Sequence, residues 1–195
     1  MSRFIKFSLG PEAKNLALGC FEIAIFMRAG IERFSASRAD AVKSFIIPLC
    51  LFPLSIAGAY VLADHQSYNA LFTLCMMRTI VTTGLFFGIV YLFCRQYERG
   101  ADFFRAVSVM NWANVIGMTL ALPIPLLVMG GFAGAHDMEN YALFITLMGY
   151  AYIGFILTHA LRIPWELGGA LAMAALAIDQ NAFDLFQAIS RQISG

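Results

Sequence analysis

Charged side chains are scarce in this 195-residue chain. Asp, Glu, Lys and Arg together make up 13% of it, about half the share of a soluble globular domain. That scarcity excludes a disordered chain, a soluble enzyme domain and a nucleic-acid binder with a basic face. The formal net charge is +1, so selection by charge must depend on where the charges sit. There are only three histidines, and they are scattered. His65 and His136 fall in short polar segments with Asp64, Asp137 and Glu139, and read as solvated residues. His159 stands near Arg162 and Glu166 and reads as an interfacial polar residue. Cys20, Cys50, Cys75 and Cys94 form no C-x-x-C pair and read as packing residues. No P-loop, H-E-x-x-H or G-x-S-x-G is present. No catalytic residue, metal or cofactor is therefore expected. A secretory signal is not expected either, because Glu22 interrupts the apolar run Asn15–Met27 and Arg28, Glu32, Arg33 and Arg38 follow it.

Hydrophobic residues are what the chain does have, at 60%. One soluble core of this size cannot bury that much apolar surface. The fold expected is an all-α polytopic transmembrane bundle of four to five spans, preceded by an in-plane amphipathic helix. A span needs about 20 mostly apolar residues. Candidates run over Phe45–Ala63, Ala70–Cys94, Ala106–Met129 and Tyr141–Leu161. Pro123 and Pro125 should kink the far end of the third. A fifth begins near Leu167, but its clean apolar part ends at Ile178 and Asp179, Gln180, Asn181 and Asp184 follow. It is expected to span while packed among the others. A β-barrel is excluded, because Phe45–Ala59 and Leu143–Leu157 are continuously apolar rather than alternating. The domain reading is a cytoplasmic basic amphipathic segment (1–43), a helical bundle (44–187) and a short polar tail (188–195).

The basic residues fall on one side of this arrangement. Arg3, Lys6, Lys14, Arg28, Arg33, Arg38 and Lys43 precede the first span, Arg95, Arg99 and Arg105 lie between the second and third, and Arg162 follows the fourth. The connections at 64–69 and 130–140 have no Lys or Arg. The positive-inside rule then places the N-terminus in the cytoplasm of a cell membrane. In the N-terminal segment, Leu16, Cys20, Ile23 and Met27 recur at helical spacing after Pro11 and Glu12. Arg28, Arg33, Arg38 and Lys43 form a candidate lipid-facing cluster, each adding about 1 kcal/mol of attraction to an anionic leaflet.

Two polar sets lie inside the spans. Arg78 sits about 12 Å below the outer edge of the second span, hence about 18 Å from the inner edge of a roughly 30 Å core. Asp179 lies about 18 Å from the inner edge if the fifth helix spans. Matching depth predicts a buried pair, against the alternative that Arg78 snorkels outward along its own stem. Ser108, Asn111 and Asn114 share one face of the third span, with Trp112 beside them, and are expected to bond across to a neighbouring helix. The second span also carries Gly84-Leu85-Phe86-Phe87-Gly88, a G-x-x-x-G match that permits close helix approach.

The third span is introduced by Gly100-Ala101-Asp102-Phe103-Phe104-Arg105-Ala106-Val107, holds Trp112-Ala113-Asn114, and ends in Leu122-Pro123-Ile124-Pro125-Leu126. With a basic N-segment and five hydrophobic helices, this resembles the Yip-type (Ypt-interacting) multi-pass membrane family and its bacterial branch. The resemblance covers 15–187 in architecture and 100–126 in motif. It implies a bacterial inner-membrane protein with no transferable catalytic residues. The function expected is non-catalytic organisation or assembly of a membrane complex, through helix packing and a basic cytoplasmic face. Its partners would be the bilayer, anionic lipids and a second copy or another membrane protein, and not nucleic acid. The alternative is a small transporter or channel subunit with a polar path near Arg78 and Asp179.

Overall fold

The computed structural model describes residues 11–62, 68–134 and 136–194, all of it helix and short connections among the described residues. Asp64, His65 and the rest of 63–67, together with Arg3 and Lys6, lie outside the described residues. Three short helices come first: α1 (Pro11–Ala24), α2 (Arg28–Glu32) and α3 (Arg38–Ser44). The long ones are α4 (Ile46–Leu62), α5 (Tyr68–Gln96), α6 (Gly100–Ala121), α8 (Glu139–Ala160) and α9 (Trp165–Ser194), with the short α7 (Pro123–Met129) continuing α6. Pro123 opens α7 as its first residue, where the missing N–H costs nothing, so the two prolines break the third span where expected.

Four stretches are long and apolar enough to cross a membrane: Arg38–Tyr60, Phe72–Gln96, Gly100–Met129 and His136–Ala160. The chain is thus an all-α bundle built for a membrane. Much of its apolar surface faces outward. Leu49, Ile80, Leu92, Leu126, Leu143 and Leu147 are all more than half exposed, which in water would invite aggregation and in lipid is ordinary. Several boundaries differ from expectation, the third stretch starting at Gly100 and the fourth at His136. The first span starts seven residues earlier, because Ser37 caps α3 through the Ala39 and Asp40 amides and α3 runs on into α4 with one turn residue between. At the other end, 188–194 form no separate tail and continue α9 as helix.

The fifth helix falls short of the apolar criterion that the other four meet. It nevertheless lies along α8 and α5 over much of its length. The tight turn at 161–164 sends it back antiparallel to α8, and a repeating stripe of small residues (Gly168, Ala172, Ala175, Ala182) forms its buried side.

The densest core lies at one end of the bundle, not at its middle. There α1 and α2 fold back on each other and dock onto α6 and α8. Ile23, Ile31 and Phe34 are buried with Val90, Val109, Ile156, Leu157 and Leu161. The hairpin closes on two glycines: a Cβ at Gly30 would stand 2.6 Å from the Gly19 carbonyl oxygen. Phe26 makes the turn at a φ of 56°, a left-handed conformation uncommon for a bulky residue. Stacking on Tyr152 at 4.6 Å helps to hold it there, and the Tyr152 hydroxyl donates to the Ala24 carbonyl at 2.8 Å. One side of the N-terminal segment therefore meets protein, while Leu18, Phe21 and Ile25 stay more than half exposed. Ile23 is fully buried, and Met27 lies beyond the end of α1 and is exposed.

Candidate functional site: a mid-depth charge pair and a basic end

Asp179 stands on the small-residue stripe of α9, two turns beyond Ala172 and one beyond Ala175. The small neighbours let α8 and α5 approach it. Arg78 reaches across from α5, with Nη2 donating to Asp179 Oδ1 at 2.7 Å. The Tyr150 hydroxyl of α8 donates to the other oxygen, Oδ2, at 3.4 Å. The guanidinium also lies over the Phe183 ring, 5.2 Å from its centroid, an arrangement that favours a cation electrostatically. Three helices therefore converge on one carboxylate. The depths agree: Arg78 is ten residues from the start of α5 and Tyr150 eleven from the start of α8, so both lie about 15 Å in. The pair is only partly enclosed, with side chains 32% and 38% exposed. Sequence reasoning found the two charges by depth but missed Tyr150 and Phe183. A 3.6-residue repeat from Asp179 would have pointed to Phe183, whereas nothing in the sequence marks Tyr150.

The polar set of α6 divides. Asn111 is buried and donates through Nδ2 to Ser44 Oγ of α3 at 2.8 Å, and Ser44 donates on to the Ala41 carbonyl at 2.7 Å. Ser108 is buried on the same side. Asn114 does not join them. It is exposed and donates to the Met110 carbonyl of its own helix at 3.3 Å. The reason is angular: each three-residue step falls about 60° short of a full turn, so Asn114 lies about 120° round the helix from Ser108 and past the α3 contact.

The four candidate lipid-facing cations are not equivalent. Arg33 grips Glu22 with two hydrogen bonds of 2.7 and 2.6 Å and reaches Asn15 Oδ1 at 2.8 Å. It is therefore spent on joining α1 to the segment after α2. The Arg33 guanidinium, first by hydrogen bond and then by charge, holds the Glu22 carboxyl below its ordinary range, against the opposing effect of burial. Arg28 pairs with Glu32 one turn on at 3.1 Å, and Lys43 lies 3.8 Å from Asp40. Arg28, Arg38 and Lys43 stay exposed. The sequence hides the Glu22–Arg33 contact, because only the hairpin brings residues eleven apart together.

Further cations gather at the same end. Arg99 donates to the Leu161 and Arg162 carbonyls, clamping the turn between α8 and α9. Arg28, Arg105, His159 and Arg162 line a cavity of about 390 Å³. Cys20 donates weakly to the Trp112 carbonyl at 3.9 Å, and burial pushes its thiol up to about 11, as befits a packing residue. At the opposite end His136 contacts Glu139 at 2.8 Å. Among the described residues no three His, Cys, Asp or Glu side chains group as metal ligands would. Gly84 and Gly88 face outward, and a Cβ on either would meet nothing within 4 Å.

No family model, curated protein or solved structure matches the chain.

Proposed function

We propose that this is a non-catalytic multi-pass membrane protein that assembles a membrane complex by helix packing, with its basic end toward the cytoplasm. The observation that carries the reading is the outer face of α9. Met173, Ala177, Gln180 and Asp184 recur along it and are all exposed, with Asn181 beside them. Asp179 is level with the middle of α8, so Asp184 lies only about 7 Å further along. Gln180 and Asp184 thus fall at membrane depth on a surface that the single chain leaves open. Polar groups in hydrocarbon favour contact with another helix. The outward Gly84 and Gly88 of α5 offer a second close-approach surface. This is the kind of role that the Yip-type resemblance implies.

The test is native-size analysis after gentle extraction. The reading predicts a particle larger than one 21.5 kDa chain, and a shift toward monomer in Gln180→Leu/Asp184→Leu. A monomer in mild detergent that also fails to cross-link through position 180 in native membranes contradicts it. A second reading, a transporter or channel subunit, is favoured by the partial exposure of the Arg78–Asp179 pair. It predicts solute or ion flux in liposomes that disappears in Asp179→Asn, whereas assembly predicts no such flux.

A further inference from the structure

We infer that the basic end holds a phospholipid with an anionic headgroup, its phosphate in the arginine-lined cavity and one acyl chain in the groove between α8 and α9. The cavity is lined by three segments far apart in sequence: α2, the start of α6, and the end of α8 with the turn that follows it. Three guanidiniums line it, from Arg28, Arg105 and Arg162, together with His159 and Thr158. The one carboxylate, Glu32, already pairs with Arg28. Arg105 is the most telling. Its Nε is buried with no hydrogen-bond partner among the described residues. Its Nη1 is 3.7 Å from Asp102, beyond hydrogen-bond reach. That Nε is closed off from the cavity as well, and it is the rest of the guanidinium, lining the cavity with only the long Asp102 ion pair, that an anionic oxygen would meet. Arg162 is held in the left-handed region at a φ of 54°, with the Arg99 clamp on its carbonyl. The His159 ring is oriented by donating from Nδ1 to the Phe155 carbonyl at 2.9 Å. The cavity volume falls in the range of small-ligand sites.

The second feature is what selects a lipid over free phosphate. Thr158 and His159 also line a groove of about 730 Å³ that follows α8 toward Tyr150. Its other walls are mainly apolar or small, including Gly154, Phe155, Gly169, Ala172 and Met173, with Trp165 and the carboxylate of Glu166 also lining it. From His159 to Tyr150 is about 13 Å along the helix axis, parallel to the direction of an acyl chain. An anionic head against three arginines, joined to a chain in an apolar channel, is the chemistry of phosphatidylglycerol or phosphatidic acid. A choline headgroup would bring a second cation to the arginines. The inference rests on the membrane setting with the basic end at an anionic leaflet, and not on a partner protein. Native-size analysis can therefore fail while lipid binding stands.

The test uses the purified full chain in dodecyl maltoside and a fluorescent phosphatidylglycerol, competed by unlabelled phosphatidylglycerol, phosphatidylcholine or glycerol 3-phosphate. Saturable binding is expected, displaced by phosphatidylglycerol and poorly by the other two. Arg105→Gln should weaken it about tenfold, as should Arg162→Asn, which keeps a residue tolerant of positive φ. Gly169→Leu should weaken it too. A Cβ there meets nothing within 4 Å, so the added side chain starts into open space at the groove wall. Lys14→Gln, an exposed cation of α1 outside both the cavity and the candidate lipid-facing cluster, should leave binding unchanged. If Arg105→Gln does not elute as a folded particle, Arg162→Asn and Gly169→Leu still decide. The proposal is overturned by absence of saturable binding, or by equal weakening in Lys14→Gln, which would mean diffuse surface charge. It is overturned equally if glycerol 3-phosphate competes as well as the lipid and Gly169→Leu has no effect, which would mean a soluble phosphate ligand.

Discussion

The Arg78–Asp179 contact joins two residues 101 positions apart, and its meaning depends on what remains when one partner goes. Removing either charge leaves the other at mid-depth with no counter-ion, which costs more than the intact pair contributes. Partial exposure reduces that penalty. Arg78→Leu and Asp179→Leu should each destabilise the bundle by about 2 kcal/mol, and the double variant by less than the two combined. Thermal unfolding in mild detergent checks this, and strict additivity would show that the pair does not act as a unit. Asn111 offers a cleaner comparison. Asn111→Leu should cost about 1 kcal/mol by stripping Ser44 of its donor, whereas Asn114→Leu should be close to neutral. The same unfolding assay distinguishes them. At this scale the sequence was partly legible. Charge depth in a helix follows from counting residues at a fixed rise, so two embedded charges could be matched. Which asparagine faces a neighbour depends on where that neighbour lies, and no count along α6 reveals it. The cavity cations Arg105 and Arg162 were visible only as loop charges, because their convergence is made by the fold.

Single glycines set the packing of two elements, and their neighbours serve as internal controls. A Cβ at Gly168 would meet Thr158 and stand 2.9 Å from the Gly154 carbonyl oxygen, while one at Gly169 meets nothing. Gly168→Ala should therefore push α9 off α8 and cost about 1–3 kcal/mol, and Gly169→Ala should be neutral or slightly stabilising. The N-terminal hairpin responds to pH through Glu22. Its carboxyl is held below the ordinary 4.5 by Arg33. A depressed folded value means that the contribution to stability is fully present above the ordinary value and is lost as pH falls through the folded one. Backbone amides of α1 and α2 should thus lose protection, measured against their intrinsic exchange rates, as pH falls, and Glu22→Gln should show that lower protection already at neutral pH. Protection indifferent to both changes would show that the hairpin is held by its apolar contacts alone. The expectation of a helix on this segment was sound, since Pro11 and the apolar spacing lie in the sequence. Its docking was not legible, because Phe26 turns the chain with neither glycine nor proline to mark the place. The long C-terminal helix was expected to pack among the others despite the polar residues after Ile178, and it does lie along α8 and α5 and run on to Ser194.

Across the whole molecule, the four apolar spans were read from run length and composition alone, and only their ends moved. What composition could not supply is the asymmetry along the bundle axis. One end carries a packed core of Ile23, Phe34, Val109 and Leu157, together with a cavity lined by three arginines. The other end carries His136, Asp137 and Glu139. This polarity underlies both the assembly reading and the lipid reading, and it requires the two ends to lie on opposite sides of a bilayer. The most direct measurement is compartment-specific cysteine labelling in cells, with the native cysteines replaced. Phe132, in the turn after α7, and Tyr97, in the turn after α5, are both exposed. Phe132→Cys should react with a membrane-impermeant maleimide added from outside, and Tyr97→Cys only after the membrane is opened. Labelling of both from one side, or the reverse order, would contradict the account.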